Sequence, residues 1–153
     1  MSILMHSPSF KEGGTLPKKY TYLADNASPP LSWSSPPEGT KSLALVCEDP
    51  DAIIGTWIHW VVYGIPVHTL ELPEGIPADS TILGTAKHGT SSFGSIGYGG
   101  PCPPPGPAHR YCFKLYALDS ELDLEPGATH PDLINAIQGH ILDEGQIIGM
   151  FGT

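Results

Sequence analysis

Five side chains with acid–base character recur in two short stretches of this sequence. Asp49 and Asp51 stand two apart in Asp49-Pro50-Asp51-Ala52, and His59 follows in Trp57-Ile58-His59-Trp60. Further on, His109 and Tyr111 flank Arg110, directly after a run from Gly97 to Pro107 that holds five prolines and four glycines. Imidazole N–H groups donate to oxyanions, and neighbouring carboxylates hold an imidazole protonated or fix its tautomer. The set therefore suits a preformed cup for a phosphate or carboxylate group. The same residues allow a metal-dependent hydrolase, because two histidines and one or two aspartates suit zinc or iron with an open position for water. No HExxH or comparable spacing supports that alternative. Cys102 lies near His109 in sequence and could form a Cys–His pair. A serine hydrolase has no foothold: there is no GxSxG, and Gly94-Ser95-Ile96-Gly97 misses the spacing.

Strands must present these groups together. Tyr111-Cys112-Phe113-Lys114-Leu115-Tyr116-Ala117-Leu118 has the aromatic content of a strand. In a strand starting near His109, alternation puts His109 and Tyr111 on one face and Arg110, the sole arginine, on the other. Arg110 then reads as half of a structural ion pair. The same rule puts Trp57 and His59 on one face, with Ile58 and Trp60 opposite. Proline fixes φ and lacks an N–H, whereas glycine permits close backbone approach. The Pro/Gly run is thus a stiff loop, in which Gly99-Gly100 could offer backbone N–H groups to an anion beside Pro101.

Around these stretches the chain reads as mainly β. Residues 1–40 look like short edge strands and turns, and Ser42 to Cys47 like a buried strand feeding into Asp49. Trp57 to Ile65 is apolar on both faces apart from His59, as expected of a central strand. Residues 66–90 are rich in loops with one short strand. Thr129 or His130 caps a helix with Pro131 in its first turn. Leu133, Ile134, Ile137, Ile141 and Leu142 continue at helical spacing, split by Gly139 into two short helices and ended by Gly145, before a last strand from Gln146 to Phe151. No repeat or linker divides the chain, so residues 1–153 are expected to form a single domain.

Composition narrows the partners. Seven basic against sixteen acidic residues give a formal charge of −9, with no basic run longer than Lys18-Lys19. A nucleic-acid surface and attraction to an anionic membrane are both disfavoured. No window approaches the ~20 apolar residues of a membrane span. The start of the chain lacks a secretion signal, and three cysteines without a CxxC suit a reducing, cytoplasmic setting. Cys47, Cys102 and Cys112 read as small packing residues. His6, His68, His88, His130 and His140 read as surface or helix residues without a functional role.

The order Ser28-Pro29-Pro30-Leu31-Ser32-Trp33, Asp49-Pro50-Asp51-Ala52, Trp57-Ile58-His59-Trp60, Gly99-Gly100-Pro101, His109-Arg110-Tyr111 resembles the phosphatidylethanolamine-binding protein (PEBP) family, also called the Raf kinase inhibitor protein family, in its short bacterial and archaeal branch. The likeness spans nearly the whole chain. It implies an antiparallel β-sandwich with a small helical unit near the C-terminus and a non-enzymatic anion pocket at one end. Positions matching Asp49, His59, Gly100, Pro101, His109 and Tyr111 line that pocket and Asp51 supports it, with no cofactor and no metal. It further implies a homodimer, with a kinase or protease as possible protein partner. Asp49-Pro50-Asp51-Ala52 runs into Ile53-Ile54-Gly55 instead of the family's usual proline, so a different rim to the mouth is expected.

Overall fold

The computed structural model describes residues 3–152. Among these residues lie nine strands and one α-helix: β1 (Met5–His6), β2 (Leu31–Trp33), β3 (Ser42–Asp49), β4 (Trp57–Pro66), β5 (Glu71–Leu72), β6 (Thr81–Ile82), β7 (Ala86–His88), β8 (His109–Leu118), α1 (His130–Ile137) and β9 (Ile141–Phe151). They form two antiparallel sheets, a small one in the order β1-β2-β5 and a large one in the order β6-β7-β4-β3-β8-β9. This is a mainly β architecture with a single short helix near the C-terminus, as the sequence leads one to expect. No helix among the described residues is long and apolar enough to cross a membrane.

The continuous apolar runs of β3 and β4 follow from cover on both faces of the large sheet. On one face Leu43, Leu45 and Cys47 of β3 pack with Tyr111, Phe113 and Leu115 of β8 against Leu31, Trp33 and Leu72 of the small sheet. On the other, Ala44 and Val46 of β3 pack with Val61 and Tyr63 of β4 against Leu133 and Ile137 of α1. Burying each such Leu or Ile contributes about 1.5–3 kcal/mol, so a strand with two apolar faces is held from both sides. Strand β3, with seven of its eight residues buried, is the spine of the molecule.

The helix begins where its sequence says it should. Thr129 Oγ1 accepts from the Asp132 N–H, the Asp132 carboxylate accepts from the Thr129 N–H, and Pro131 occupies the first turn. It ends earlier than helical spacing suggests. Gly139 has φ +81°, and the chain then enters β9, which pairs with β8 from Leu118↔Ile141 to His109↔Phe151. Residues 141–145 are therefore strand and not a second short helix. Ile141 and Leu142 are both partly exposed, so their helical spacing records no buried stripe. The region 66–90 holds three short strands where one was expected, each two or three residues long.

One irregularity bears directly on the site. Along β3 and β4 the pairing runs Cys47↔Trp60 and then Glu48↔Ile58, so His59 is the extra residue of a β-bulge. Strict alternation fails there. Trp60 faces the core between the sheets together with Val62 and Ile65, and so lies on the same side of the sheet as His59. The bulge turns two successive side chains toward the inter-sheet space. Trp60 donates its indole N–H to His88 Nε2 at 3.0 Å, and His88 Nδ1 lies 2.7 Å from the Asp79 carbonyl oxygen. His88, expected at the surface, is fully buried as a neutral imidazole whose depressed pKa follows chiefly from that burial.

Candidate functional site

Strands β3, β4 and β8 deliver four of the expected residues to one end of the sandwich. Asp49 ends β3, His59 sits at the bulge near the start of β4, and His109 and Tyr111 open β8 on a single face. Together with Trp57, Phe93, Cys102, Pro103, Pro104 and the Ala52-Ile53-Ile54 loop they line a cavity of about 250 Å³. The polar groups form its floor and the apolar side chains its walls.

Each polar group is held by a specific partner. Asp49 is 3% exposed; its Oδ2 lies 2.7 Å from His109 Nδ1, and its Oδ1 accepts the Asp51 N–H at 2.8 Å. His59 is buried, with Nδ1 2.6 Å from the Gly99 carbonyl oxygen, while the Gly99 N–H donates to the His59 carbonyl at 3.0 Å. Ring contacts fix the remaining freedom. His59 meets Phe93 and Tyr111 edge-on at 5.4 and 5.2 Å between centroids, and Tyr111 stacks on His109 at 6.4 Å. Burial pushes the His59 pKa below the ordinary histidine range, and this outweighs the opposing pull of the Gly99 carbonyl and Asp49. Burial also raises the Tyr111 phenol far above its usual value, so it stays a hydroxyl donor at neutral pH.

The remaining expected residues stand outside the cavity wall. Asp51 forms a bidentate pair with Arg110, Nε to Oδ2 at 3.0 Å and Nη2 to Oδ1 at 2.9 Å, and also accepts the Arg110 N–H. The guanidinium lowers the Asp51 pKa to about 2. Arg110 thus points away from His109 and Tyr111, as alternation requires, and Asp51 steadies Asp49 from behind. Gly100 and Pro101 are buried behind the wall. The Gly100 N–H donates to Asn26 Oδ1 at 2.7 Å, and the Pro101 carbonyl accepts from Tyr22 N at 3.0 Å. The expectation of bare N–H groups at Gly99 and Gly100 is therefore corrected: both are spent inside the protein. Their absent side chains serve close packing, since a Cβ at Gly100 would overlap the Tyr20 carbonyl oxygen.

Sequence reasoning placed Ile53-Ile54 at the rim but missed Phe93 in the wall. Phe93 comes from a polar loop, Ser91-Ser92-Phe93-Gly94, where a lone aromatic was the available signal. Ile53 and Ile54 are each 83% exposed at the tip of the loop after Asp51. Two adjacent bare isoleucines beside an ionisable cluster mark a mouth. The donor set gives the metal-hydrolase alternative little to build on. Both Asp49 oxygens are committed, and among the described residues no group of three or more His, Cys, Asp and Glu side chains is arranged to hold a metal ion.

Comparison with known proteins agrees with this architecture. A UPF0098 protein of Methanothermobacter thermautotrophicus is 45% identical over 151 residues, spanning 99% of this chain and 98% of the relative. One from Aquifex aeolicus is 49% identical over 147 residues, spanning 95% and 85%. Among solved structures, a PEBP homologue of Chlamydia trachomatis superposes with a TM-score of 0.90 at 38% identity, covering 99% of this chain and 98% of that one. E. coli YBCL, a member of the mammalian PEBP family, superposes with a TM-score of 0.93 at 32% identity, covering 100% and 99%. The profile of the phosphatidylethanolamine-binding protein family matches residues 6–152. The chain belongs to the phosphatidylethanolamine-binding protein family.

Proposed function

We propose that the cavity at the β3/β4/β8 end holds a small anionic or phosphorylated group without chemical turnover. The observation that carries this reading is the convergence of Asp49, His59, His109 and Tyr111, from three adjacent strands, on one cavity. The imidazoles and the phenol are its hydrogen-bonding groups, and Asp51, Gly100 and Pro101 support the floor and loop that hold them. Asp49 is bound up in positioning His109, with its other oxygen on the Asp51 N–H, so this carboxylate is not itself free to act as a base. The ligand fills a preformed site, because ring contacts and backbone bonds already fix both imidazoles. Regulation of a kinase or protease through the stiff proline loop, pairing of two copies and a cytoplasmic setting complete the proposal. Together they describe a one-domain binding protein.

Calorimetric titration with phenyl phosphate tests it. A hydrogen bond to a charged group is worth about 1.5–3 kcal/mol, so His59→Ala and His109→Ala should each lower affinity about ten- to a hundredfold. Circular dichroism should show the fold retained in both. Titration curves unchanged from the parent protein in both variants would eliminate the cavity as the ligand site.

A further inference from the structure

The two site histidines are each held in one tautomer, and this decides what an anion meets in the cavity. The partner of His59 Nδ1 is a carbonyl oxygen, that of Gly99, and the partner of His109 Nδ1 is the Asp49 carboxylate. A carbonyl oxygen accepts, and so does a carboxylate oxygen facing a ring nitrogen, so Nδ1 carries the proton in both rings. An imidazole in its neutral form has a single N–H, so in that form each ring keeps only a lone pair at Nε2. Both rings line the cavity, and so does Asp49, a further acceptor. The side-chain donors among the lining residues are the Tyr111 phenol, the Trp57 indole and the weaker Cys102 thiol. In this form both imidazoles turn a lone pair, and not an N–H, toward an oxyanion.

We propose that an oxyanion enters the cavity together with one proton, shared between the ligand and Nε2 of His59 or His109. The preferred ligands are accordingly oxyanions that can bring that proton, phosphate monoesters over sulfate monoesters. This rests on the anion-pocket reading above. The surrounding groups oppose one another. Burial, and with it His109 on β8, disfavours a proton on His59, whereas the Gly99 carbonyl, Asp49 on β3 and the Gly100 carbonyl favour it. Asp51, in the loop after β3, is matched by the Arg110 guanidinium, and Tyr111 stays neutral. A phosphate monoester, with a second pKa of about 6, can instead keep the proton on its own oxygen and donate it to a lone pair. A sulfate monoester has no such proton and must rely on a histidine.

Asp49 provides a decisive variant. Its Oδ1 accepts the Asp51 N–H, and its Oδ2 faces His109 Nδ1. In Asp49→Asn the amide oxygen stays with the Asp51 N–H, so the amide NH₂ faces His109 Nδ1. The imidazole must then shift its proton to Nε2, toward the cavity. A residue that lines the site should thus bind anions better when its charge is removed.

Calorimetry at pH 7.5, in buffers of different ionisation enthalpy, measures the protons taken up on binding phenyl phosphate and phenyl sulfate. Uptake of about one proton per phenyl phosphate is expected, which makes affinity rise about tenfold per pH unit lost above the ligand's own pKa. Phenyl sulfate should bind about tenfold more weakly or worse at this pH, and Asp49→Asn should tighten it by about fivefold or more. Zero proton uptake by the unaltered protein, or equal affinity for the two probes, overturns the proposal whether or not the variant folds. Binding without proton uptake leaves the anion pocket standing and removes only the proton. Absence of binding by both probes from pH 6 to 8 removes the pocket itself.

Discussion

Gly100→Ala separates a packing glycine from a ligand-binding one. The Gly100 N–H already donates to Asn26 Oδ1 at 2.7 Å. An added methyl would overlap the Tyr20 carbonyl oxygen and come within 2.8 Å of Asn26 Oδ1 and 3.0 Å of Thr21 Cα. Two of these three neighbours are backbone atoms, which no rotamer change can move aside. To reach ordinary contact the proline loop must part from residues 20–26 by roughly an ångström. That stretches two hydrogen bonds, Gly100 N–H to Asn26 and Tyr22 N–H to the Pro101 carbonyl. Two weakened bonds at about 0.5–1.5 kcal/mol each, with overpacking of about 1–3 kcal/mol, sum to about 2–6 kcal/mol. For a chain of this length each kcal/mol lowers the melting temperature by about 2–4 °C, so a fall of about 5–20 °C is expected. Differential scanning calorimetry measures it directly. Gly99→Ala is the internal control. The three atoms nearest its methyl all belong to the Phe93 ring, the first at 2.7 Å, and this part-exposed side chain can turn away. A melting temperature for Gly100→Ala equal to that of the parent protein, with ligand affinity lost, would refute the packing argument and restore the N–H to the ligand.

Three further outcomes can be checked on the same preparation. Trp60→Phe leaves His88 Nε2 without its donor in a fully buried site; urea denaturation should show a loss of about 2–4 kcal/mol from the orphaned acceptor and the smaller ring. Arg110→Lys replaces a bidentate fork by a point charge, so melting temperature should fall while phenyl phosphate affinity stays within about twofold; lost affinity at unchanged melting temperature would mean that Arg110 turns into the cavity. Stability should also fall on acidification, in two windows. Burial holds the folded-state pKa of His59 and His88 below the unfolded value, so the unfolded chain takes up protons first and stability declines as pH drops below about 6.5. The Asp51–Arg110 contribution is complete above about pH 4 and disappears as pH falls toward 2. A melting temperature constant from pH 7.5 to 5 would contradict the neutral, buried histidines.

The sequence made β8 legible because nothing interrupts its alternation. His109, Tyr111, Phe113 and Leu115 face one way, and Arg110 faces the other toward its carboxylate partner. The same rule misplaced Trp60, because the bulge at His59 is a property of pairing with β3 that no single strand displays. The helix start was readable from Thr129, Pro131 and Asp132, which act locally. Its end was not, since continuation as β9 depends on the long partner strand β8. At the site, residue types and spacing were enough to bring Asp49, His59, His109 and Tyr111 to one cavity. The fates of individual N–H groups were hidden, because Asn26 and Tyr22 reach the glycine loop from some 75 residues away in sequence. Ile53 and Ile54 were legible as a changed rim, whereas Phe93 escaped notice because a lone aromatic in a polar loop gains meaning only beside the histidines.

A crystal structure of the protein soaked with phenyl phosphate tests the central claim most directly. The account predicts the phosphate group on the cavity floor, within hydrogen-bond reach of Nε2 of His59 or His109 and of the Tyr111 hydroxyl, with the phenyl ring against the apolar wall and Gly100 N–H still on Asn26. Full occupancy of phenyl phosphate elsewhere on the surface, with this cavity holding only water, would contradict it.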